Sequence, residues 1–263
     1  IDNLPENWDN SEGMSRATKG ACATLLANVY MRAHDYASAK TYVEMVLAMR
    51  NAGIYELNSD FKNVWSENNK FDKGFIFCIL HEPGMNGGEI TNHYGPQDHK
   101  EVTNRWQYYA VSLEFWRKYS DQDPRKQFFY YNYEGASPRD ENTENGFYYM
   151  IPNPGQTTPP SDTVKFLKNV ATKKYSYEMV SNSYYDGRTI AIFRIEDVIL
   201  YKAEIENEIN GPTAALTYIN EIRARAGAPE YGSGPGFPIP ATKEEMVQKI
   251  LDERGFELVF EYK

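Results

Sequence analysis

The sequence lacks most features of a membrane-spanning, nucleic-acid-binding or disulfide-stabilised protein. No run of about 18 apolar residues occurs and no charged-then-apolar leader opens the chain, so no transmembrane helix or signal segment is predicted. The net charge is -9 and the longest basic run is Lys173-Lys174, so we expect no nucleic acid partner. The two cysteines, Cys22 and Cys78, stand among apolar residues and resemble small buried side chains, although one disulfide between them stays open.

The motifs of common enzymes and metal sites are also missing. There is no Gly-x-Ser-x-Gly elbow, no phosphate-binding loop and no dinucleotide fingerprint. His81, His93 and His99 match no compact ligand spacing, and Asp121 with Asp123 lacks the remainder of a calcium loop. We therefore expect no catalytic residues, no metal and no cofactor.

Apolar residues with helical spacing are what the sequence does contain. Over residues 15–50 they recur on both sides of an interruption at His34-Asp35, where Asp35 can cap the second of two helices. Over residues 195–227 the pattern is interrupted at Asn210-Gly211, and Pro212 suits the first position of the next helix. Each stretch predicts two antiparallel helices joined by a very short turn.

The two predicted hairpins share one internal spacing. The step from Ala203 to Ala215 equals that from Ala27 to Ala39, and small side chains at these positions let two helix backbones approach closely. This repetition is typical of tetratricopeptide-like units. The sequence therefore predicts a mostly α fold.

Outside the two hairpins, the sequence predicts one clear helix and one long region with little regular structure. A further helix over 242–263 is predicted from Thr242 and Glu245, which form a capping box. Residues 55–194 are rich in Gly, Pro, Asn, Asp and aromatics, and show only a short buried segment at 75–80 and one helix at 113–119. We interpret 55–194 as a loop-rich, ligand-binding insertion.

Five elements along the chain carry a family resemblance. They are Ser15-Arg-Ala-Thr-Lys-Gly-Ala21 with Asp35-Tyr-Ala-Ser-Ala39, Asp123-Pro-Arg125, Phe193-Arg-Ile-Glu-Asp-Val-Ile-Leu-Tyr-Lys-Ala-Glu204, Ile219-Asn-Glu-Ile-Arg-Ala-Arg-Ala-Gly227 and Glu253-Arg-Gly-Phe-Glu-Leu-Val-Phe-Glu261. In this order they resemble the SusD/RagB family of outer-membrane nutrient-binding lipoproteins. Ile195 and Lys202 depart from the pattern, because the family usually has small or apolar residues there.

The resemblance implies both a fold and a cellular role. It implies one SusD-like domain over residues 1–263, as a fragment without the family's N-terminal part and extreme C-terminus. It also implies an outward-facing lipoprotein of the cell outer membrane, with a lipid anchor outside this sequence. Such a protein delivers its ligand to a TonB-dependent (SusC-like) transporter. Most members bind glycans and a minority bind peptides, so we expect an oligo- or polysaccharide ligand and no enzyme activity, with a peptide as the alternative ligand.

Local aromatic enrichment marks the candidate binding site. Of 38 aromatic residues (4 Trp, 21 Tyr, 13 Phe), 15 fall between residues 94 and 149. Sugars present apolar C–H faces edged by hydroxyls, so a sugar-binding site needs flat rings beside amides and charges. The run Asn104-Arg-Trp-Gln-Tyr-Tyr109 offers this mixture, and we predict ligand contacts from Asn104, Arg105, Trp106, Tyr108, Tyr109 and the upstream Tyr94. These rings could instead cover the scaffold, and Trp116, at helical spacing from Leu113, is predicted to be core.

Two other functions stay open. A tetratricopeptide adaptor would use its concave helical face to bind a partner protein. A glycoside hydrolase would need paired carboxylates, which Glu253, Glu257 and Glu261 offer on one helix face. Because Arg254, and also Arg223 and Arg225, stand within reach of that face, we favour structural ion pairs over catalysis there.

Overall fold

Two units divide the chain. The computed structural model describes residues 1–7, 14–84, 87–100, 105–135, 147–175 and 185–261. Unit 1 comprises Ile1–Val64, Asn69–Leu80 and Thr189–Lys263, and unit 2 comprises Trp65–Asn68 and His81–Arg188. The second unit falls inside the range 55–194 that the sequence assigned to an insertion.

The elements follow one another in a simple order. Helices are α1 (Lys19–Arg32), α2 (Tyr36–Asn51), α3 (Ile90–Tyr94), α4 (Leu113–Lys118), α5 (Ile195–Asn210), α6 (Pro212–Arg225) and α7 (Lys243–Leu258). Strands are β1 (Phe75–Ile79), β2 (Val111–Ser112), β3 (Phe129–Tyr130), β4 (Asn132–Glu134), β5 (Tyr148–Met150), β6 (Val164–Phe166), β7 (Asn169–Thr172) and β8 (Ile190–Arg194). Short 3-10 helices lie at Asn63–Trp65, Glu67–Asn69 and Pro124–Phe128. Within the described parts, no helix is both long and apolar enough to cross a membrane.

Both predicted hairpins are confirmed in unit 1. The interruption at His34-Asp35 is the turn between α1 and α2, where Asp35 accepts a hydrogen bond from the Ser38 backbone N–H at 3.1 Å. Pro212 is the first residue of α6, as predicted, and Gly211 before it has φ 90°, a conformation that favours glycine. The four alanines of the repeated spacing, Ala27, Ala39, Ala203 and Ala215, are all completely buried.

The helices of unit 1 pack around two apolar clusters, one between α1, α2 and α5 and one between α5, α6 and α7. α2 packs on α5, and α7 packs on both α5 and α6. Thr242 caps α7 by accepting from the Glu245 backbone N–H at 3.2 Å, as the capping box predicted. β1 pairs antiparallel with β8, so the buried segment predicted at 75–80 is a strand. The tetratricopeptide-like part of the fold therefore follows the sequence pattern closely.

Unit 2 contains more strand than the sequence indicated. One sheet has the order β2-β7-β3, and a second has the order β4-β5-β6 with β5 and β6 parallel. These strands are two to four residues long, too short to show a clear alternation of apolar and polar residues. Trp116 on α4 was predicted to be core, but it is only half-buried, with its ring between Tyr131 and the Lys126 ammonium. That prediction was wrong because α4, only six residues long, has no fully buried residue.

A buried arginine connects the helix ends of unit 1. Arg194, the last residue of β8, has no solvent exposure. Its guanidinium contacts the carboxylates of Glu257 at 2.7 Å, Glu261 at 2.7 Å and Glu196. Burial alone would lower the pKa of Arg194, but Glu196, Glu261 and Glu257 outweigh it and raise that pKa well above its ordinary value. The arginine is therefore charged, and its burial depends on these carboxylates.

Two more arginines extend this network along α7. Arg225 contacts Glu257 at 2.5 Å and Glu196 at 3.1 Å, and Arg223 contacts Glu253 at 2.7 Å. The carboxylates of Glu253, Glu257 and Glu261 are thus occupied by ion pairs, which confirms their structural interpretation. The helix predicted over 242–263 ends at Leu258, however, so Glu261 lies just beyond it and not on the same helix face. Arg254, on the same helix, instead pairs with Asp197 at 3.6 Å.

Lys202, one of the departures from the family pattern, has a local explanation. It lies on α5 and is almost fully buried, but its ammonium pairs with Glu44 at 2.9 Å and Glu206 at 2.7 Å. These two carboxylates compensate for the cost of burying the Lys202 charge.

Replacing the central arginine should destabilise the protein strongly. Arg194→Met would leave Glu261 buried without a cation and Glu196 and Glu257 with Arg225 alone, which costs about 3–5 kcal/mol in the free energy of unfolding. Urea unfolding followed by circular dichroism measures this. The control is Lys73→Met in the same unit, because the Lys73–Glu56 pair is solvent-exposed and should matter little. Equal stability of the two variants would refute the central role of Arg194.

Candidate functional site

The segment 105–109 is fixed to helix α3 by hydrogen bonds. The backbone N–H of Trp106 donates to Asn92 O at 2.7 Å, and that of Tyr109 donates to His93 O at 3.3 Å. The Arg105 guanidinium donates to Asn92 Oδ1 at 3.0 Å. Because α3 belongs to the same unit, this segment has a defined backbone position and can present side chains in a fixed arrangement.

Gln107 bends this segment. Its φ of 48° lies in the left-handed region, which is uncommon for a residue other than glycine. The Gln107 side chain is anchored on both sides, since its Oε1 accepts from Gln97 N at 3.3 Å and its Nε2 donates to Asn169 Oδ1 at 3.5 Å. These contacts offset the cost of the conformation, which is about 1–2 kcal/mol.

Four rings gather beside the bend. The Trp106 and Tyr108 rings lie 5.4 Å apart, and the His93 ring lies 5.3 Å from Trp106, 5.4 Å from Tyr108 and 6.2 Å from Tyr109. Tyr108 is 67% exposed, Tyr109 is 51% exposed and Trp106 is half-buried. We call His93, Trp106, Tyr108 and Tyr109 the aromatic platform. It offers flat apolar faces to solvent at a defined place.

The other predicted contact residues occupy different positions. Tyr94 is only 4% exposed and lies between Tyr109, at 5.2 Å, and Tyr175, at 5.1 Å, so it supports the platform from beneath. Arg105 is half-buried, and its pKa is lowered by burial and by the neighbouring Arg188. A Cβ at Gly95 would lie 2.5 Å from Arg105 Cδ, so glycine makes room for this side chain. Asn104 lies outside the described residues.

His93 belongs to the platform, although the sequence suggested it only as an unlikely metal ligand. Its place could have been inferred only from the contact between α3 and the segment 105–109. Its Nε2 lies 3.8 Å from a Glu89 carboxylate oxygen, which places a charged acceptor at the rim of the rings. Of the other two histidines considered as metal ligands, His81 has its Nδ1 3.0 Å from Arg188 O, and His99 stacks on Tyr133 at 5.1 Å.

The acidic residues and cysteines that the sequence offered as metal ligands or reactive groups have structural roles or are buried. Asp123 and Arg125 form a buried bidentate pair, with 2.8 Å between Arg125 Nη2 and Asp123 Oδ2, and Asp121 contacts Lys126 at 2.6 Å. Across the described ranges, no group of three or more His, Cys, Asp or Glu is arranged to hold a metal. Cys22 and Cys78 are free thiols, and burial raises the pKa of Cys78 to about 12, which disfavours a reactive thiolate.

The comparison with known proteins agrees with this fold. A model of the SusD family matches residues 56–263. SusD-like protein P2 of Formosa agariphila is 25% identical over 276 residues, covering 98% of this chain and 52% of that protein. SusD-like protein P25 of the same organism is 43% identical over 65 residues, covering 25% of this chain and 10% of that protein.

Solved structures share the architecture at low sequence identity. A SusD superfamily protein from Parabacteroides distasonis superposes with a TM-score of 0.72 at 19% identity, covering 99% of this chain and 53% of that one. Surface glycan-binding protein A from Bacteroides uniformis gives a TM-score of 0.67 at 19% identity, covering 99% and 51%. The chain thus spans about half the length of these relatives.

The matching family model covers most of the sequence, from residue 56 to residue 263. The chain belongs to the SusD family.

Proposed function

We propose that this protein binds a glycan on the aromatic platform and holds it without making or breaking covalent bonds. The observation that carries this proposal is the exposure of Tyr108 and Tyr109, 67% and 51%, next to Trp106 on a segment whose backbone is fixed. Large rings are usually buried, and a contiguous exposed group of them is typical of a binding surface.

The chemistry of the platform suits a sugar ring. A pyranose has an apolar C–H face that packs on an aromatic face, while its hydroxyls need hydrogen-bond partners around the rim. Glu89, about one-third exposed and 3.8 Å from His93 Nε2, is such a partner. A platform whose rings are already in contact loses little conformational freedom when a ligand binds, which favours affinity.

The relatives support the same ligand class. One of the proteins with this fold is named a surface glycan-binding protein, from Bacteroides uniformis, and a second of that name comes from Bacteroides thetaiotaomicron. The occupied carboxylates of α7 speak against a hydrolase at that helix, because ion-paired and buried groups have no access to a substrate.

The cellular role follows from family membership and is part of the proposal. We infer that residues 1–263 form part of one SusD-like domain of an outward-facing, lipid-anchored protein of the outer membrane. The glycan would pass from this protein to a TonB-dependent, SusC-like transporter. The alternatives are a peptide ligand on the same platform, which a peptide array would reveal, and an adaptor function of the helical hairpins, which would leave polysaccharide retardation absent.

Loss of a platform ring should weaken polysaccharide binding. Trp106→Ala and Tyr108→Ala each remove a stacking surface, and we expect about tenfold weaker binding, which corresponds to ~1.4 kcal/mol. Retardation in native affinity gels containing xylan, laminarin, amylopectin or mannan measures this. The matched control is Tyr148→Ala on β5, which removes an exposed tyrosine of the same unit outside the platform.

Three outcomes would contradict the proposal. Wild-type protein that binds a peptide array but no polysaccharide would indicate a peptide ligand. Retardation that is unchanged in both platform variants would place the glycan elsewhere. Release of reducing sugar from any of the four polysaccharides would show an enzyme.

We expect His93 to contribute to polysaccharide binding through its aromatic ring and not through its charge. His93→Ala removes the ring that Trp106, Tyr108 and Tyr109 all contact, so we expect several-fold weaker polysaccharide binding, whereas His93→Phe keeps a flat ring and should retain most of it. The control His99→Ala removes a histidine from the separate stack on Tyr133 and should leave the affinity unchanged. If His93→Ala binds as well as the wild type, His93 is not part of the binding surface.

A further inference from the structure

Unit 1 contains a recess that is separate from the aromatic platform. It has a volume of about 260 Å³, and its lining includes Glu56, Asn58, Asn69, Phe71, Asp72 and Lys73. These residues come from the stretch between α2 and β1. None of them takes part in the aromatic platform, the apolar core or the arginine network described above.

The floor of the recess is rigid. Asp72 is 6% exposed, and its Oδ2 accepts from Asn69 Nδ2 at 2.6 Å and from Asn58 Nδ2, while its Oδ1 accepts from Gly74 N at 2.7 Å. Asn69 Nδ2 also donates to Asn63 O at 3.1 Å. A single carboxylate therefore orients two carboxamides, and Asn58 Oδ1 also accepts from Asp60 N at 2.9 Å. The second N–H of Asn58 and the Oδ1 of Asn69 are the fixed amide groups that can recognise a hydroxyl at little entropic cost.

One aromatic side chain, Phe71, lines this otherwise polar recess. Phe71 is 45% exposed, although a phenyl group at such a place gains nothing from water. Beside it, Lys73 and Glu56 lie 4.0 Å apart and are 64% and 69% exposed, so their attraction is weak and either can turn towards a hydroxyl. The recess thus combines one apolar face with amides and charged groups that can exchange hydrogen bonds.

The volume and the charged groups of the recess limit the class of ligand that it can bind. Sites for drug-sized molecules usually measure about 300–1,000 Å³, so about 260 Å³ suits one ring rather than a chain. An anionic ligand would meet the carboxylates of Glu56 and Asp72 against the single ammonium of Lys73. A cationic ligand would find Asp72 buried and already accepting from three N–H donors. These features favour a neutral, polyhydroxylated ring.

We infer that this recess binds one neutral sugar residue, stacked on Phe71 and hydrogen-bonded by the carboxamides of Asn58 and Asn69. The class of ligand rests on the proposed function, whereas the recess itself is independent of the aromatic platform. A protein with both sites would contact a glycan at two separate places.

The test follows the side-chain amide signals of Asn58 and Asn69 in two-dimensional ¹H–¹⁵N NMR spectra. Glucose, galactose, xylose and mannose are titrated one at a time into the protein. We expect at least one of them to shift both amide signals in a saturable way. Phe71→Ala should weaken this binding about tenfold or more, while Ile79→Ala, which truncates an exposed side chain of the same unit outside the recess, should leave it unchanged.

Further variants separate the two sites. Trp106→Ala should leave the amide shifts intact, and Phe71→Ala should leave a weaker but measurable retardation in the affinity gels. If Phe71→Ala fails to fold, the variants Lys73→Ala and Glu56→Gln test the rim of the recess, and each should weaken the sugar-induced shifts several-fold.

The inference is overturned if none of the four sugars shifts the amide signals, or if the shifts persist in all three recess variants. Either result leaves the platform proposal standing, whereas unchanged polysaccharide binding by Trp106→Ala overturns only the platform.

Discussion

The complete burial of the Arg194 guanidinium is the constraint on which unit 1 depends. A charged group without solvent is tolerable only when carboxylates surround it, and here these come from the first turn of α5 and from the end of α7. The position of α7 along its axis is thereby set by charge as well as by apolar packing. The spacing of Glu253 and Glu257 follows from this, because positions one turn apart face the same side of the helix, whereas Glu261 reaches Arg194 from beyond the end of α7.

Unit 2 is organised by different forces. Its candidate binding surface is fixed by backbone hydrogen bonds between the segment 105–109 and α3, and by contacts between rings. Fixed rings suit passive binding, since the ligand meets faces that are already oriented. In unit 1, by contrast, the carboxylates of Glu253 and Glu257 on α7 are committed to ion pairs with arginines.

The sequence predicted the helical parts well because their signals are local. Asp35 and Thr242 are caps, Pro212 is a helix start, and the alanine spacing is a packing requirement, so each can be recognised within a few residues. The short strands of unit 2 could not be predicted, since strands of two to four residues are defined by partners distant in sequence. For the same reason the role of His93 was missed, because α3 and the aromatic segment are separated by residues 95–104. Trp116 was misassigned because helical spacing alone does not show whether a short helix is covered.

The superposition on solved structures, with TM-scores of 0.72 and 0.67, establishes the fold. Because the sequence identity is only 19%, the ligand has to be argued from the side chains. The central claim is that a glycan lies on the rings of Trp106, Tyr108 and Tyr109. The most direct measurement is a crystal structure of the protein with an oligosaccharide from a polysaccharide that it retains in affinity gels. We predict a sugar ring in van der Waals contact with Trp106 or Tyr108 and a hydroxyl within hydrogen-bonding distance of Glu89. A sugar bound elsewhere, with these rings left open to solvent, would contradict the account.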